Sequence, residues 1–471
     1  MKFLVLIILV IFWQNVFLIA KKIKENDPKT KTFIKYFLIY FSIMIVFLVI
    51  TWPGVWRHDE FYILDGIVTL NFNCWHHWLT SLYYMICLCI LPFPSGIILI
   101  QITLISAIVS SIITQFDYIY QNQKNWLIMI PLLFPSIIIN NLYPLRMPIY
   151  SFIEIFLLSL ITFKYLDKSD ISYKNILFWS LLISIVSSWR SESIFCILAL
   201  PIVIFILLKA QLSIKKVIVL FLATILISSS IIYIQKKDTS ANAYIIMAIL
   251  APMREIVKTD FKSNDKEGDL NTIGKIFNIK GLKSGRDNND IWEITNPKFS
   301  DKDLYELEKV YVKLIIYNLP SFAKERLEYF ERSNQNIEIP NWVMNEGARR
   351  GALLVLKTQD LEQSYKKFRF LEFRDKNKNY YDNFLTRFFY SPVTSAIILL
   401  LLLFTGIITR NILLFFLSLL ITLQTIATII GASANLFMYY LPCYIYTGIT
   451  TVMLILIGSK NIFITKNSSK N

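Results

Sequence analysis

The sequence predicts an all-α polytopic membrane protein: about 11 transmembrane helices, one interfacial helix and one mainly helical external domain. Three observations lead there. The chain has about a dozen apolar runs, with 55% hydrophobic residues and a mean hydropathy of +0.52, and several runs reach the ~20 residues a helix needs to cross hydrocarbon. Barrel strands would be shorter and would alternate in polarity. A single long polar stretch, 235–392, carries 27 of the 48 basic and 23 of the 33 acidic residues. The remaining lysines crowd into loops that can all share one side.

Spans are expected near 3–20, 36–52, 95–115, 126–142, 148–165, 176–190, 193–209, 216–234, 393–409, 411–430 and 441–459. The first run has no small-residue cleavage site and ends in Lys21-Lys22, so it reads as a retained span. The run 76–91 sets the parity of everything after it. Sixteen helical residues rise only about 24 Å, short of a ~30 Å core. Pro92 and Pro94 close the run, and it reads as interfacial. The loops 21–35, 116–125, 164–175, 209–216 and 460–471 with Arg410 then fall together and hold 17 Lys or Arg. The short loops opposite hold only Arg57, Arg146 and Arg190. By the positive-inside rule the lysine-rich side is cytoplasmic. The same parity puts 235–392 outside, where Asp303–Leu319 and Pro320–Arg332 read as helices broken at Asn318-Leu319-Pro320. Three parts result: a bundle over 1–234 with its first external loop at 52–94, an extracytoplasmic domain over 235–392, and C-terminal helices over 393–471.

The net charge of +15 follows from lysines that set topology and meet anionic lipid; no nucleic-acid partner is expected. Five cysteines show no metal or disulfide spacing.

Outside the polar insert only ten acids remain. Five lie in cytoplasmic loops. Asp59, Glu60, Asp65, Glu154 and Glu192 fall at or near the external face, with Arg57, Arg146 and Arg190. A guanidinium holds a phosphate through two parallel hydrogen bonds. Acids with arginines at headgroup level suit a transferase that uses a lipid phosphate. Asp59 and Glu60 are the general-base candidates; a surface pair with Arg57 is the plain alternative. His58, His76 and His77, all the histidines of the chain, could join them around zinc or manganese, although no HExxH-type spacing supports a site. No cofactor is named by the sequence beyond that divalent-metal option. Arg146 is a phosphate ligand or a headgroup anchor. Glu154, two turns into its span, is functional by default, or pairs with Arg190. Ser188-Trp189-Arg190-Ser191-Glu192 is a second polar turn, and Tyr439 and Tyr440 line a groove or belong to an aromatic belt.

This layout resembles the GT-C superfamily of glycosyltransferases. Asp59-Glu60 after an early span, with Tyr62 close behind, resembles its acidic loop motif. His76–Leu91 with Tyr83-Tyr84 resembles its membrane-surface helix, and Tyr439-Tyr440-Leu441-Pro442 its late aromatic turn. Arg146 stands where many members carry Asp, and Met438 where many carry Arg. The resemblance implies a GT-C-like fold and a sugar moved from a polyprenyl-phosphate donor to a cell-surface glycan or lipid acceptor. The setting it implies is the external face of a bacterial-type plasma membrane. Asp59 and Glu60 would be catalytic; Arg57, His58, Tyr62, His76, His77, Arg146, Glu154, Arg190, Glu192, Tyr439 and Tyr440 would bind substrate. The donor, the acceptor and membrane lipids would be the partners. A surface-polysaccharide polymerase or ligase centred on arginines and a lipid-linked oligosaccharide flippase or transporter are the alternatives. A transporter would carry polar residues through several spans and an inverted repeat, and no repeat is present.

Overall fold

A computed structural model gives the chain's three-dimensional structure. It describes residues 21–56, 58–70, 77–121, 124–236, 241–258, 260–284, 294–296, 298–333, 388–432 and 436–468, with a few isolated positions. The described part is helical and has no strand; an isolated β-bridge joins Phe277 and Thr295.

Helices α1 (Pro28–Ile50), α2 (His58–Val68), α3 (Trp78–Ile90) and α4 (Ser95–Tyr120) build the first part. Asp27 caps α1 by accepting from the Thr30 amide, and Pro28 occupies the first turn, where no N–H is needed. Along α1, Tyr36, Tyr40, Met44 and Leu48 recur at four-residue spacing and form its buried stripe. They pack against α4, with Lys29 Nζ donating to Gln115 at 3.1 Å and Ser110 to the Phe33 carbonyl. These pairs make α1 and α4 antiparallel.

The expected span at 126–142 is not one helix. Two short 3-10 pieces (Asn125–Met129 and Pro131–Leu133) lead into α5 (Pro135–Asn141). Pro131 and Pro135 each begin a new piece, because proline cannot continue the hydrogen-bond ladder of the piece before it. Next come α6 (Arg146–Asp167), α7 (Tyr173–Trp189), a 3-10 turn at Ser191–Ser193, α8 (Cys196–Leu208) and α9 (Ile214–Lys236). Helices α7 and α9 run parallel along a serine seam. Ser180 and Ser184 donate to the carbonyls of Leu220 and Thr224, and Ser187 meets Ser228 at 3.4 Å. Small side chains let two backbones approach this closely.

The insert contains α10 (Ala241–Lys258), α11 (Lys266–Ile276), α12 (Ile279–Ser284), α13 (Asp301–Tyr317) and α14 (Leu319–Glu331). The helix pair expected around Asn318-Leu319-Pro320 is α13 and α14; a capping box between Ser300 and Asp303 opens α13. The insert has its own apolar core, including Leu250, Met253, Ile273, Phe277, Leu307 and Leu314. The chain closes with α15 (Pro392–Ile408), α16 (Ile412–Gly431) and α17 (Leu441–Ser468).

Seven stretches are long and apolar enough to cross a membrane: Pro28–Ile50, Pro94–Tyr120, Arg146–Asp167, Ser191–Leu208, Ile214–Gln235, Ile412–Gly431 and Phe437–Gly458. The chain is an all-α membrane protein. Helices α3 and α15 are apolar but shorter, and most of the first expected span, 3–20, lies outside the described residues.

Hydrogen bonds decide whether α3 crosses. Its first residue, Trp78, donates from its indole to the Ile231 carbonyl and from its backbone to Gln235, near the C-terminal end of α9. The next helix starts at Ser95, whose hydroxyl donates to the Pro53 carbonyl just past the C-terminal end of α1. Gln101 near the start of α4 donates to the Asn141 and Tyr143 carbonyls just before α6, and Arg146 at the start of α6 donates to the Trp189 carbonyl at the end of α7. With the antiparallel and parallel pairs above, these contacts put the two ends on one side of the bundle. Helix α3 therefore enters and leaves at the same end, and its 13 residues rise only about 20 Å.

Candidate functional site

The segment after α1 does not run over the surface; it folds back into the bundle. Residues 53–56 are buried, and the Val55 amide donates to the Leu142 carbonyl at 3.0 Å. Gly54 makes this fit. It has φ +104°, and a Cβ there would collide with Ile98 Cδ1. The segment delivers α2 with Asp59 and Glu60 in its first turn, where carboxylates complement the positive helix end. Asp59 is half-buried, while Glu60 is only 1% exposed and Asp65 is buried behind it. Both first-turn acids lie within electrostatic reach of Tyr84 on α3. His58 stacks on Tyr62 at 6.5 Å. Burial lowers the His58 pKa, and the Asp59 charge opposes that shift.

Gln101 of α4 anchors the second wall, donating to the carbonyls of Asn141 at 3.0 Å and Tyr143 at 2.6 Å. Gln101 is six residues into its helix, so the turn before Arg146 lies about 9 Å below the start of α4. Arg146 begins α6, buried, and donates to the Trp189 carbonyl at a long 3.5 Å. A cation at the positive end of a helix is in the unfavourable orientation, which an anion at the same place would offset.

The third wall is the corner between α7 and α8. Arg190 grips Glu192 through two hydrogen bonds, from Nε to Oε2 at 3.1 Å and from Nη2 to Oε1. Both side chains are only 5% exposed. The guanidinium also lies over the Tyr439 ring, 4.8 Å from its centroid. The Arg146 charge acts on the same Glu192 carboxylate. A buried pair of this kind adds little net stability once desolvation is counted; what it does is fix the plane of Arg190.

His77 ties α3 to this corner. Its Nδ1 accepts from the Leu79 amide at 3.2 Å, capping α3, and the ring is hydrogen-bonded to the Ser188 backbone. Its φ of +68° is one that side chains rarely adopt. Burial, helped by the nearby Arg146 charge, pushes its pKa down to about 3, so the ring is neutral at ordinary pH. Trp189 adds an indole hydrogen bond to Thr80 at 3.1 Å and an edge contact with Tyr83.

Glu154 sits one layer deeper, and it does not pair with Arg190. Its partner is neutral: Gln424 Nε2 lies 3.1 Å from its Oε2, 2.8 Å from Tyr150 Oη and 3.0 Å from Ser193 Oγ. Tyr150 and Ser193 meet at 2.6 Å. An amide nitrogen carries two hydrogens, so it serves at most two of these three oxygens at once.

The insert docks on this end through α14. Phe322, Arg326 and Phe330 form the buried face of α14. Arg326, 2% exposed, donates to the Ala432 carbonyl at 2.8 Å and pairs with Glu325. Phe330 packs edge-on against Tyr440 at 4.9 Å.

Of the residues singled out from sequence, Arg146, His77, Arg190, Glu192 and Tyr439 form one cluster. Glu154 adjoins it through Tyr150 and Ser193, and Tyr440 through its neighbour Tyr439. His58, Asp59, Glu60 and Tyr62 belong to the adjoining wall of α2. Arg57 and His76 lie outside the described residues. Among the described residues no three His, Cys, Asp or Glu side chains gather as a metal site requires. Sequence reasoning passed over Gln424 and Arg326. Gln424 is an amide inside an apolar run, which could have marked it; Arg326 is one of many charges in a polar domain, and only its docked face distinguishes it. No family model matches the chain, and no curated protein or solved structure matches it either.

Proposed function

We propose that the protein is a membrane glycosyltransferase. It moves a sugar from a polyprenyl-phosphate donor to a glycan or lipid hydroxyl, at the end of the bundle that carries the insert. The observation that carries this reading is the buried corner where Arg146 and Arg190 act on one carboxylate, beside Tyr439 and next to the acid-bearing start of α2. Guanidiniums held rigid and out of water suit the stabilisation of a departing lipid phosphate. Asp59 is the general base because it is the more accessible of the two first-turn acids, and Glu60 supports it from the core.

In the reaction Asp59 takes the proton of the acceptor hydroxyl. The hydroxyl oxygen forms the new bond to the anomeric carbon, and the bond from that carbon to the phosphate oxygen breaks. The lipid phosphate leaves with the electron pair, and Arg146 and Arg190 balance its charge. Helix α14, packed on Tyr440, borders the space where the acceptor approaches. The family resemblance and the recessed position of the site, at the ends of helices long enough to span a membrane, favour a lipid-borne donor.

A surface-polysaccharide polymerase or ligase is the second reading. It is favoured by one observation: the arginines are more deeply buried than Asp59. The two readings separate in one experiment. Membranes with wild type, Asp59→Asn or Arg146→Gln, at matched protein levels, are supplied with a lipid-phosphate sugar pool, and new glycan is read by mass spectrometry. Loss of product in Asp59→Asn supports the acid-based transferase. Unchanged product in Asp59→Asn with loss in Arg146→Gln moves the reading to the arginine-centred enzyme.

A further inference from the structure

A cavity opens at the other end of the bundle, far from the arginines. Its void is ≈ 140 Å³, and ≈ 820 Å³ when the open space at its mouth is included. It lies between α4, α6, α16 and α17, all long and apolar enough to span a membrane. Ile155, Leu158 and Phe163 line one side; Leu417, Ile449 and Met453 line the other. Along α6 it runs from Ile155 to Leu166, about 16 Å at the helical rise, or half of a ~30 Å hydrocarbon core.

Four of its polar side chains are already engaged. Ser159 and Thr162 donate back to the carbonyls of Ile155 and Leu158 at 2.7 and 2.8 Å. Tyr446 meets Ser418 at 3.0 Å, and Asn411 caps α16 by accepting from the Leu414 amide. Among the described residues no charged side chain lines the wall. Sites for sugars or nucleotides have converging polar groups; this one presents apolar surface and tied hydroxyls. An apolar void does not hold water well, and at this depth the surrounding medium is lipid.

The rim is basic. Arg410, exposed, immediately precedes the lining residue Asn411, and Lys168, also exposed, follows the lining residue Leu166 by two positions. Arg146 stands twenty residues up α6 from Leu166, about 30 Å away, so a phosphate at this rim is not one held by Arg146.

We propose that this cavity is a binding site for one acyl chain of an anionic phospholipid, with the headgroup phosphate held by Arg410 and Lys168. The proposal is independent of the catalytic reading. Dispersion contacts along the slot hold the chain, and the rim charges select an anionic headgroup.

The test uses the full chain in phosphatidylcholine nanodiscs doped with phosphatidylglycerol carrying a mid-chain diazirine. After photolysis, adducts are mapped by peptide mass spectrometry. They are expected on 155–166 and 446–457. Leu158→Trp, which fills the slot, lowers them by about tenfold, the change given by ~1.4 kcal/mol of lost binding. Adducts at the lipid-facing Leu222 and Leu226 of α9 stay constant. Met453→Phe fills the slot from the opposite wall and decides the matter if Leu158→Trp does not fold. The same diazirine on phosphatidylcholine labels the slot several-fold less, and Arg410→Gln with Lys168→Gln removes that preference. Cavity labelling unchanged by either filling variant overturns the site. Equal labelling by the two lipids overturns the anionic headgroup, and preferential labelling by a diazirine polyprenyl phosphate assigns the slot to an isoprenoid chain instead.

Discussion

Arg190 and Glu192 illustrate how two charges are kept in a nearly dry corner. Each satisfies the other through two hydrogen bonds, and Tyr439 covers the guanidinium. Arg190→Ala leaves Glu192 buried without its partner and is expected to destabilise the protein by about 3–5 kcal/mol. The double variant Arg190→Ala with Glu192→Ala recovers much of that loss. Thermal melting of the purified protein in detergent checks both. Recovery in the double variant with no return of glycan transfer separates the structural role of the pair from the functional role of the arginine. His77 supplies a pH dependence of known sign. Its folded pKa is depressed to about 3 from an ordinary 6.5. Above pH 6.5 neither folded nor unfolded chain protonates it, and its contribution is constant. Between 6.5 and about 3 the unfolded chain binds the proton and the folded one does not, so stability falls with pH, by up to about 1.4 kcal/mol per unit. His77→Asn keeps a capping oxygen, tolerates the positive φ and does not titrate. Its melting temperature is expected to fall less than that of wild type between pH 7 and pH 5.

At the scale of elements, the site is made by the junctions of helices, and α14 is the junction that the insert contributes. Arg326 reaches the Ala432 carbonyl at the end of α16, and Phe330 packs on Tyr440. A hydrogen bond from a charged donor contributes about 1.5–3 kcal/mol. Arg326→Ala is therefore expected to loosen α14 from the bundle while the insert's own core stays folded. Hydrogen exchange then rises across Leu319–Glu331 and stays low at Leu250, Met253 and Leu307. Equal deprotection of both regions would mean that α14 and the insert core unfold as one unit. The short helix Trp78–Ile90 was legible in the sequence through its length and the prolines that follow it. The broken stretch at 126–142 was not read correctly, because its hydropathy is that of a span. Pro131 and Pro135 outweigh that hydropathy by each interrupting the ladder.

On the scale of the whole molecule, the helix directions put the insert and the arginine corner at one end and the lysine-rich loops and the acyl slot at the other. Positive charge in the loops predicts which end faces the cytoplasm. Single cysteines test it in a background with all five native cysteines, Cys74, Cys87, Cys89, Cys196 and Cys443, replaced by Ala. Lys302→Cys on α13 is expected to react with an impermeant maleimide on intact cells, and Lys168→Cys only after permeabilisation. The reverse pattern would move the arginine corner to the cytoplasmic face and rule out a donor presented outside.

Hydropathy and charge are local properties, summed along the chain, and by themselves they determined that this is a helical membrane protein. They also gave a short non-crossing helix after the first loop and a large polar insert with helices on either side of Asn318. They marked Asp59, Arg146, Arg190 and Glu192, because a charge at a membrane boundary is visible as a residue type. Only the tertiary structure decided the partners. Arg190 chooses Glu192, two residues away, and Glu154 is left to Gln424, 270 positions along the chain. Arg326 becomes part of the site because α14 turns that face toward Ala432. The apolar slot likewise depends on how four helices leave space between them. Such pairings depend on which helix faces meet, and the period of one helix does not contain the orientation of its neighbours.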